Sequence, residues 1–154
     1  MFDLHQVGWV APRLMAALIA GALVGLQREL THRPAGLRTH MLVALGASLV
    51  VVTVIECGFA TADISRVVQG VVTGIGFLGG GAILKLTAEH EIHGLTSAAA
   101  IWMTAAAGIA AGLGAIGTAL SGVVLGLVVL QLFIRLERHL GQDASPDAAN
   151  REPP

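Results

Sequence analysis

The stretch that decides the fold runs from Val67 to Leu84 and reads VVQGVVTGIGFLGGGAIL. It contains no charged residue, and about 18 residues at a rise of about 1.5 Å each are just enough to cross the hydrocarbon core of a bilayer. Each glycine in it would cost about 1 kcal/mol relative to alanine in a helix exposed to water. In lipid the backbone must satisfy its own hydrogen bonds, so a helix is still favoured. The glycines are Gly70, Gly74, Gly76, Gly79, Gly80 and Gly81.

Helical spacing gathers most of these glycines on one side of the segment. Two neighbouring lines along the helix carry Gly70, Gly74, Phe77 and Gly81, and Gln69, Thr73, Gly76 and Gly80. Arg66 lies on the same side of the helix, about one turn before Gln69. Small residues in such lines let membrane helices approach each other closely. We therefore predict that this segment is the central helix of a small integral membrane bundle.

The composition lies far outside the soluble class. Of the 154 residues, 55% are hydrophobic and 12% are charged, whereas about 25% of the residues of a soluble domain are charged. The formal net charge of −1 and the lack of any run of lysine or arginine argue against nucleic acid as a partner. The sequence shows no phosphate-binding loop after a strand, no nucleophile elbow and no zinc signature. We predict a membrane protein that is not an enzyme and that uses no metal or cofactor.

The chain as a whole predicts an all-α membrane protein, a bundle of five transmembrane helices in the lipid bilayer. Residues 1–136 are predicted to form the membrane domain, and residues 137–154 a disordered cytoplasmic tail. Arg13 and Arg66 fall on one side of the bilayer, and the other seven basic residues fall on the side of the C-terminus. The positive-inside rule therefore predicts the N-terminus outside and the C-terminus inside. The predicted spans are approximately 13–30, 37–57, 66–84, 95–112 and 117–136.

Lines of small residues recur in the other spans and predict close helix packing there too. In the first span such a line leads at four-residue spacing into the carboxylate of Glu29. These lines exceed what one five-helix bundle needs, which favours a homo-oligomer or a partner membrane protein. The packing glycines outside the third span are Gly21, Gly25, Gly108, Gly122 and Gly126.

Ionisable residues at the depth of the membrane are costly and are therefore candidates for function. Arg28 and Glu29 end the first span, and Arg38 and His40 begin the second, all on the predicted cytoplasmic side. An arginine–carboxylate pair at this place would be geometrically specific. Two interpretations stay open: the pair locks the first two helices together, or it belongs to a functional site.

Acidic residues on the predicted outer face allow two interpretations as well. Asp63 and Arg66 are spaced to form a local ion pair on the third helix. Asp63 and Glu56 could instead bind Mg²⁺, which prefers oxygen ligands. The neighbouring arginine would make this a weak metal site. The polar connection after the third span carries Glu89, His90, Glu91 and His93. Such a cluster is typical of a solvated loop more often than of a metal site.

Polar side chains within or near the ends of the apolar spans form a last group of candidates. They are Gln69, Thr73, Thr96, Ser97 and Thr104. Hydrogen bonds between helices are the usual role of such residues. The alternative is that they line a path for an ion or a solute.

Four segments in order resemble the MgtC/SapB family of bacterial inner-membrane proteins over about residues 21–135. They are GLQREL (25–30), AGLRTHMLVALGA (35–47), the pattern D-x-x-R-x-x-Q followed by glycines (63–84), and HGLTSAAAIWMTAAAGIAAGLG (93–114). The motif residues of the family correspond here to Arg28, Glu29, Gly36, Leu37, Arg38, Thr39, His40, Asp63, Arg66, Gln69, Thr73, Gly74, Gly76, Gly79, Thr96 and Trp102. Gln27 departs from the family pattern, because many members have an acidic residue at that position.

The resemblance implies a multi-pass protein of the bacterial plasma (inner) membrane. Its best-known relatives act in adaptation to low magnesium and in virulence, through survival inside macrophages. They are regarded as regulators of membrane energetics that act through the ATP synthase, and not as magnesium transporters. Longer members carry a soluble C-terminal domain. In this sequence only residues 137–154 occupy the corresponding position, so a role of that domain is not inferred for this chain.

The sequence thus favours a regulatory membrane protein that acts through helix contacts on a partner membrane complex. The rival hypothesis is a small transporter or channel with a path lined by Arg28, Glu29, Gln69 and Thr73.

Overall fold

The computed structural model describes the backbone of residues 4–86 and 91–142 and the side chains of residues 7–83 and 94–132. Within these ranges the chain forms five helices and a two-stranded antiparallel sheet. The helices are α1 Leu4–Leu30, α2 Leu37–Glu56, α3 Thr61–Gly81, α4 Leu95–Gly112 and α5 Ile116–Gln142. The strands are β1 Leu84–Leu86 and β2 Glu91–His93, which pair with Leu84 opposite His93.

The predicted bounds hold for α2 and α4 and differ for the other helices. α1 begins at Leu4 and not near residue 13. Pro12 lies inside this helix and does not interrupt it. α3 spans Thr61–Gly81 and not 66–84, with Asp63 in its first turn, where a carboxylate complements the helix dipole. Its predicted last residue, Leu84, belongs to β1.

The polar connection and the tail also differ from the prediction. The connection after α3 was expected to be a loop, but its ends pair as β1 and β2, and residues 87–90 lie outside the described residues. α5 continues to Gln142, six residues beyond the predicted end of the fifth span at residue 136. Residues 143–154 lie outside the described residues.

α1 ends in a tight turn that fixes the positions of its last residues. His32 adopts a left-handed conformation with φ of 51°. Its N–H donates to the carbonyl of Glu29 at 3.1 Å, and the N–H of Arg33 donates to the carbonyl of Arg28 at 3.0 Å. This is the Schellman arrangement, which satisfies carbonyls that a helix end leaves free. α2 and α4 end in the same way, with Gly58 and Gly114 in the left-handed position.

The centre of the bundle is α4. This helix packs against α1, α2, α3 and α5, whereas α3 packs on α4 and, less extensively, on α2. The prediction that α3 is the central helix is therefore wrong. α3 uses Ile75, Val68 and Val71 to join the apolar cluster that it shares with α2 and α4. Its side chains, and not its glycines, make most of these contacts.

The closest helix approaches occur at glycines outside α3. A methyl group added at Gly21 would lie 2.5 Å from the carbonyl oxygen of His40, and one at Gly25 would lie 2.7 Å from the Cα atom of Leu37. A methyl group at Gly108 would collide with the backbone of Ala44. These glycines therefore let α2 approach both α1 and α4 at a distance that alanine would not permit.

The glycine-lined face of α3 is turned away from the rest of the described chain. A methyl group added at any of these glycines but Gly79 would find no other atom within 4 Å. Gly79 is buried against Ala98 of α4, and Phe77 on the open face is 84% exposed. The unpacked positions are Gly70, Gly74, Gly76, Gly80 and Gly81. In α5, Gly122 is likewise unpacked, whereas Gly126 lies against the sulfur of Met103.

Three of the described helices are long and apolar enough to cross a membrane: Val7–Leu30, Leu37–Glu56 and Leu95–Gly112. Ile116–Leu132 is a shorter apolar helix. The protein is therefore a helical membrane protein, and the count of five spans stays a prediction. α3 falls short on hydropathy because it combines many glycines with Asp63 and Arg66 near its start.

Candidate functional site: a buried polar junction of three helices

Arg28 lies at the end of α1 and points into the bundle. Its side chain is only 2% exposed, and its Nη2 donates to Ser97 Oγ of α4 at 2.5 Å. Among the described side chains, the guanidinium makes no ion pair with a carboxylate. The expected pair of Arg28 with Glu29 is not formed, because successive residues on a helix point about 100° apart. One of the two therefore faces inward and the other outward.

Glu29 joins α1 to α2 by a different contact. Its carboxylate accepts a hydrogen bond at 3.0 Å from the N–H of Leu37, the first residue of α2, and lies directly against Gly36. A carboxylate at this position satisfies a free N–H and complements the dipole of α2. Glu29 thus locks the first two helices together, as one of the two interpretations expected, but through the backbone and not through an arginine.

His40 is completely buried one turn into α2. Its Nδ1 lies 2.8 Å from Thr104 Oγ1 of α4, and that hydroxyl also lies 2.8 Å from the carbonyl oxygen of Ala100. If the threonine proton points to the carbonyl, the histidine donates from Nδ1. If it points to the histidine, the proton of a neutral ring is on Nε2. In both cases Nε2 has no hydrogen-bond partner in the described structure.

We call the group of Arg28, His40, Ser97 and Thr104 the buried polar junction, since it joins α1, α2 and α4. The two hydroxyls of α4 lie about two turns apart on one face, opposite the side chains from α1 and α2. Two of its polar atoms, Arg28 Nε and His40 Nε2, have no partner in the described structure. The other buried polar atoms without a partner are both amide atoms of Gln27 and Ser48 Oγ.

The other predicted site residues lie on the surface of the described chain. Arg66 Nη1 lies 3.5 Å from Asp63 Oδ1, so the expected local ion pair forms, with Arg66 largely exposed and Asp63 partly exposed. Thr73 Oγ1 donates to the carbonyl of Gln69 on its own helix at 2.8 Å. The further exposed residues are Arg38, Thr39, Thr96 and Trp102.

The structure does not bring together the four residues of the rival path. Arg28 is enclosed among α1, α2 and α4, whereas Gln69 and Thr73 are exposed on α3. The described residues also contain no group of three or more histidine, cysteine, aspartate or glutamate side chains placed to hold a metal ion. The side chains of Glu89, His90, Glu91 and His93 lie outside the described ones.

Sequence reasoning missed the partners within the junction and the role of Arg13. Ser97 and Thr104 were expected to bond between helices, but nothing in their spacing identifies Arg28 and His40 as their partners. Arg13 Nη1 donates at 2.9 Å to the carbonyl of Gly112 at the end of α4, and its guanidinium stacks 4.6 Å from the centre of the Trp9 ring. A cation at a helix C-terminus complements the helix dipole. Because α4 is distant from Arg13 in the sequence, local spacing does not predict this contact.

Comparison with known proteins places the chain in a family. The profile of the MgtC family matches residues 14–139. The chain is 43% identical over 137 residues to protein SrpB of Synechococcus elongatus, covering 82% of this chain and 75% of SrpB. It is 41% identical to YhiD of Escherichia coli strain K12, a candidate magnesium transporter by name, over 80% of this chain and 60% of YhiD.

A third relative is protein MgtC of Salmonella typhimurium strain LT2, which is 38% identical over 114 residues. The match covers 73% of this chain and 47% of that protein, so the chain spans about half the length of this relative. No solved structure matches the chain. The profile match, these three relatives and the apolar helices agree, and the chain belongs to the MgtC family.

Proposed function

We propose that this chain is a regulatory membrane protein of the MgtC type, linked to adaptation to low magnesium and to intracellular survival. In this proposal it sits in the bacterial inner membrane with five spans, its N-terminus outside and its C-terminus inside. It acts by binding a partner membrane complex, such as the ATP synthase, through the open face of α3. The observation that carries the proposal is the unpacked glycine line of that helix.

A glycine line that faces lipid leaves a helix poorly packed. Gly70 and Gly74 are four residues apart on the open face, and no other part of the described chain lies near them. In membranes, such small-residue spacing is where a second helix can approach closely enough for extensive van der Waals contact. Gln69 and Thr73 border the face and can hydrogen-bond to an incoming helix. The face therefore suits a helix from another chain.

The experiment uses cells in which the gene is deleted and complemented with variants at equal expression. Gly74→Leu places a bulky side chain on the open face of α3, where it has room in the isolated chain. We expect growth in low magnesium to fail and the partner to be lost on purification from native membranes. The matched control is Gly46→Leu on α2, since Gly46 is also exposed and a methyl group there would touch no described residue within 4 Å.

Gly46→Leu should restore growth as the unchanged chain does. If Gly74→Leu also restores growth and the protein is purified alone and monomeric, the proposal is wrong. The orientation is tested separately with reporters fused to the C-terminus, which should be active only in the cytoplasm.

Magnesium transport is the second candidate, and the similarity to YhiD favours it. Purified chain in sealed vesicles with an internal magnesium indicator would test it. Flux that Glu29→Gln abolishes would support transport, and vesicles that stay impermeable to magnesium would exclude it for the isolated chain.

A further inference from the structure

Arg28 carries a charge that no acidic side chain balances within the described structure. It is 2% exposed, and the partner of its guanidinium is the neutral hydroxyl of Ser97. The adjacent carboxylate of Glu29 faces outward and bonds to the N–H of Leu37. The ion pair that the described side chains do form, Asp63–Arg66, lies on the surface of α3. A buried cation without a counter-charge is costly.

The contact with Ser97 also brings the Arg28 guanidinium close to the positive, N-terminal end of α4. Ser97 lies in the first turn of α4, which begins at Leu95. The residue before it, Gly94, has no side chain and so provides no capping hydrogen bond. The start of a helix carries free N–H groups and a partial positive charge. The guanidinium of Arg28 therefore meets the positive end of α4, where a cation is unfavourable.

One donor of the Arg28 side chain lacks an acceptor in the described structure. Arg28 Nε is buried and has no hydrogen-bond partner in the described structure. A buried N–H of a charged group without an acceptor costs more than a neutral one. A guanidinium, a hydroxyl and a helix N-terminus together form the donor set that proteins use for anions.

We propose that a small monovalent inorganic anion, of which chloride is the type, binds at the Arg28 guanidinium, beside the first turn of α4. One negative charge balances one buried cation, whereas a dianion would bring a second charge with no partner. Glycine and alanine pack the helices closely around the junction, which favours a compact ion. A water molecule would satisfy the N–H groups but would leave the charge unbalanced.

The test uses the purified full chain in detergent and measures thermal unfolding while sodium chloride replaces sodium gluconate at constant ionic strength. Gluconate is too large for the enclosed junction. At about ten times the dissociation constant, chloride should raise the Tm by roughly 3 to 6 °C, and the rise should saturate. Line broadening of the ³⁵Cl NMR signal by the protein gives a direct measure of binding.

Variants distinguish this site from general salt effects. Arg28→Gln should abolish both the rise in Tm and the line broadening, while Arg33→Gln, which changes an exposed arginine of the neighbouring turn, should leave both unchanged. Because Arg28→Gln could prevent folding, Ser97→Ala serves as a second variant. It keeps the cation, removes one donor, and should raise the chloride concentration at half-saturation several-fold.

Two results would overturn the proposal. One is a Tm that does not depend on whether chloride or gluconate is present. The other is an equal chloride response in the unchanged chain, in Ser97→Ala and in Arg33→Gln. The outcome is independent of the regulatory function proposed above, since the isolated chain is measured without any partner.

Discussion

Replacing Gly21 by alanine should destabilise the protein, whereas the same replacement at Gly74 should not. Both residues lie inside helices, so alanine brings the same gain of about 1 kcal/mol in helix propensity at each position. At Gly21 the new methyl group would lie 2.5 Å from the carbonyl oxygen of His40 and 2.9 Å from the Cα atom of Met41. At Gly74 it would meet no other atom of the described residues within 4 Å.

The size of the effect follows from the distance. The approach at Gly21 is about 1 Å shorter than an ordinary van der Waals contact, and the atoms in the way belong to the backbone of α2. α1 and α2 must therefore separate, and overpacking of this kind costs about 1–3 kcal/mol. Because the propensity gain cancels between the two variants, Gly21→Ala should unfold about 1–3 kcal/mol more easily than Gly74→Ala.

The assay is unfolding of the monomeric protein in mixed detergent micelles as the fraction of dodecyl sulfate increases, followed by tryptophan fluorescence and circular dichroism. Gly46→Ala on α2, which also meets nothing within 4 Å in the described part of the chain, is the control for propensity alone. If Gly74→Ala unfolds as easily as Gly21→Ala, or more easily, α3 packs its glycine face within the chain and the reasoning is refuted.

Three further substitutions test individual contacts by the same unfolding assay. Glu29→Ala should cost about 0.5–2 kcal/mol, since it removes the acceptor for the N–H of Leu37 at the start of α2. Thr104→Val should cost about 1–2 kcal/mol, because it keeps the shape of the side chain but leaves His40 Nδ1 without a partner. Arg13→Ala should cost about 1–2 kcal/mol by removing a bond to the last turn of α4 and the stacking on a tryptophan.

Each of these has a control within the same chain. Glu56→Ala removes an exposed carboxylate at the other end of α2 and should be nearly neutral. Thr104→Ser keeps the hydroxyl and should retain most of the stability that Thr104→Val loses. Arg13→Lys keeps the charge near the helix end but not the planar group, so it should fall between the alanine variant and the unchanged chain. Any conservative variant that loses as much as its disruptive partner would contradict the assigned contact.

The sequence by itself determined the class of the protein and most of the helices. A low share of charged residues and long apolar stretches are sufficient to indicate a membrane protein, and α2 and α4 begin and end where the spans were expected, within one residue. The ion pair of Asp63 and Arg66 was also predictable, because residues three apart on one helix are neighbours whatever surrounds them. The ordered motifs were enough to identify the family.

The tertiary structure alone decided which faces are inside. In a soluble helix the apolar side marks the core. A membrane helix is apolar all round, so its hydrophobicity does not show which side faces the other helices. Several glycine lines in the sequence look equally suited to packing. Among the described residues, those at Gly21, Gly25, Gly108 and Gly112 closely approach the backbone of another helix, because the approach needs a matching surface on a neighbouring helix.

The buried polar junction shows the same limit. Arg28 and Glu29 are neighbours in the sequence, and the pattern offered both as partners for each other. Rotation of α1 turns the first toward Ser97, 69 positions away, and leaves the second at the start of α2. Local spacing determines which residues share a helix face, whereas the packing of whole helices determines what that face meets.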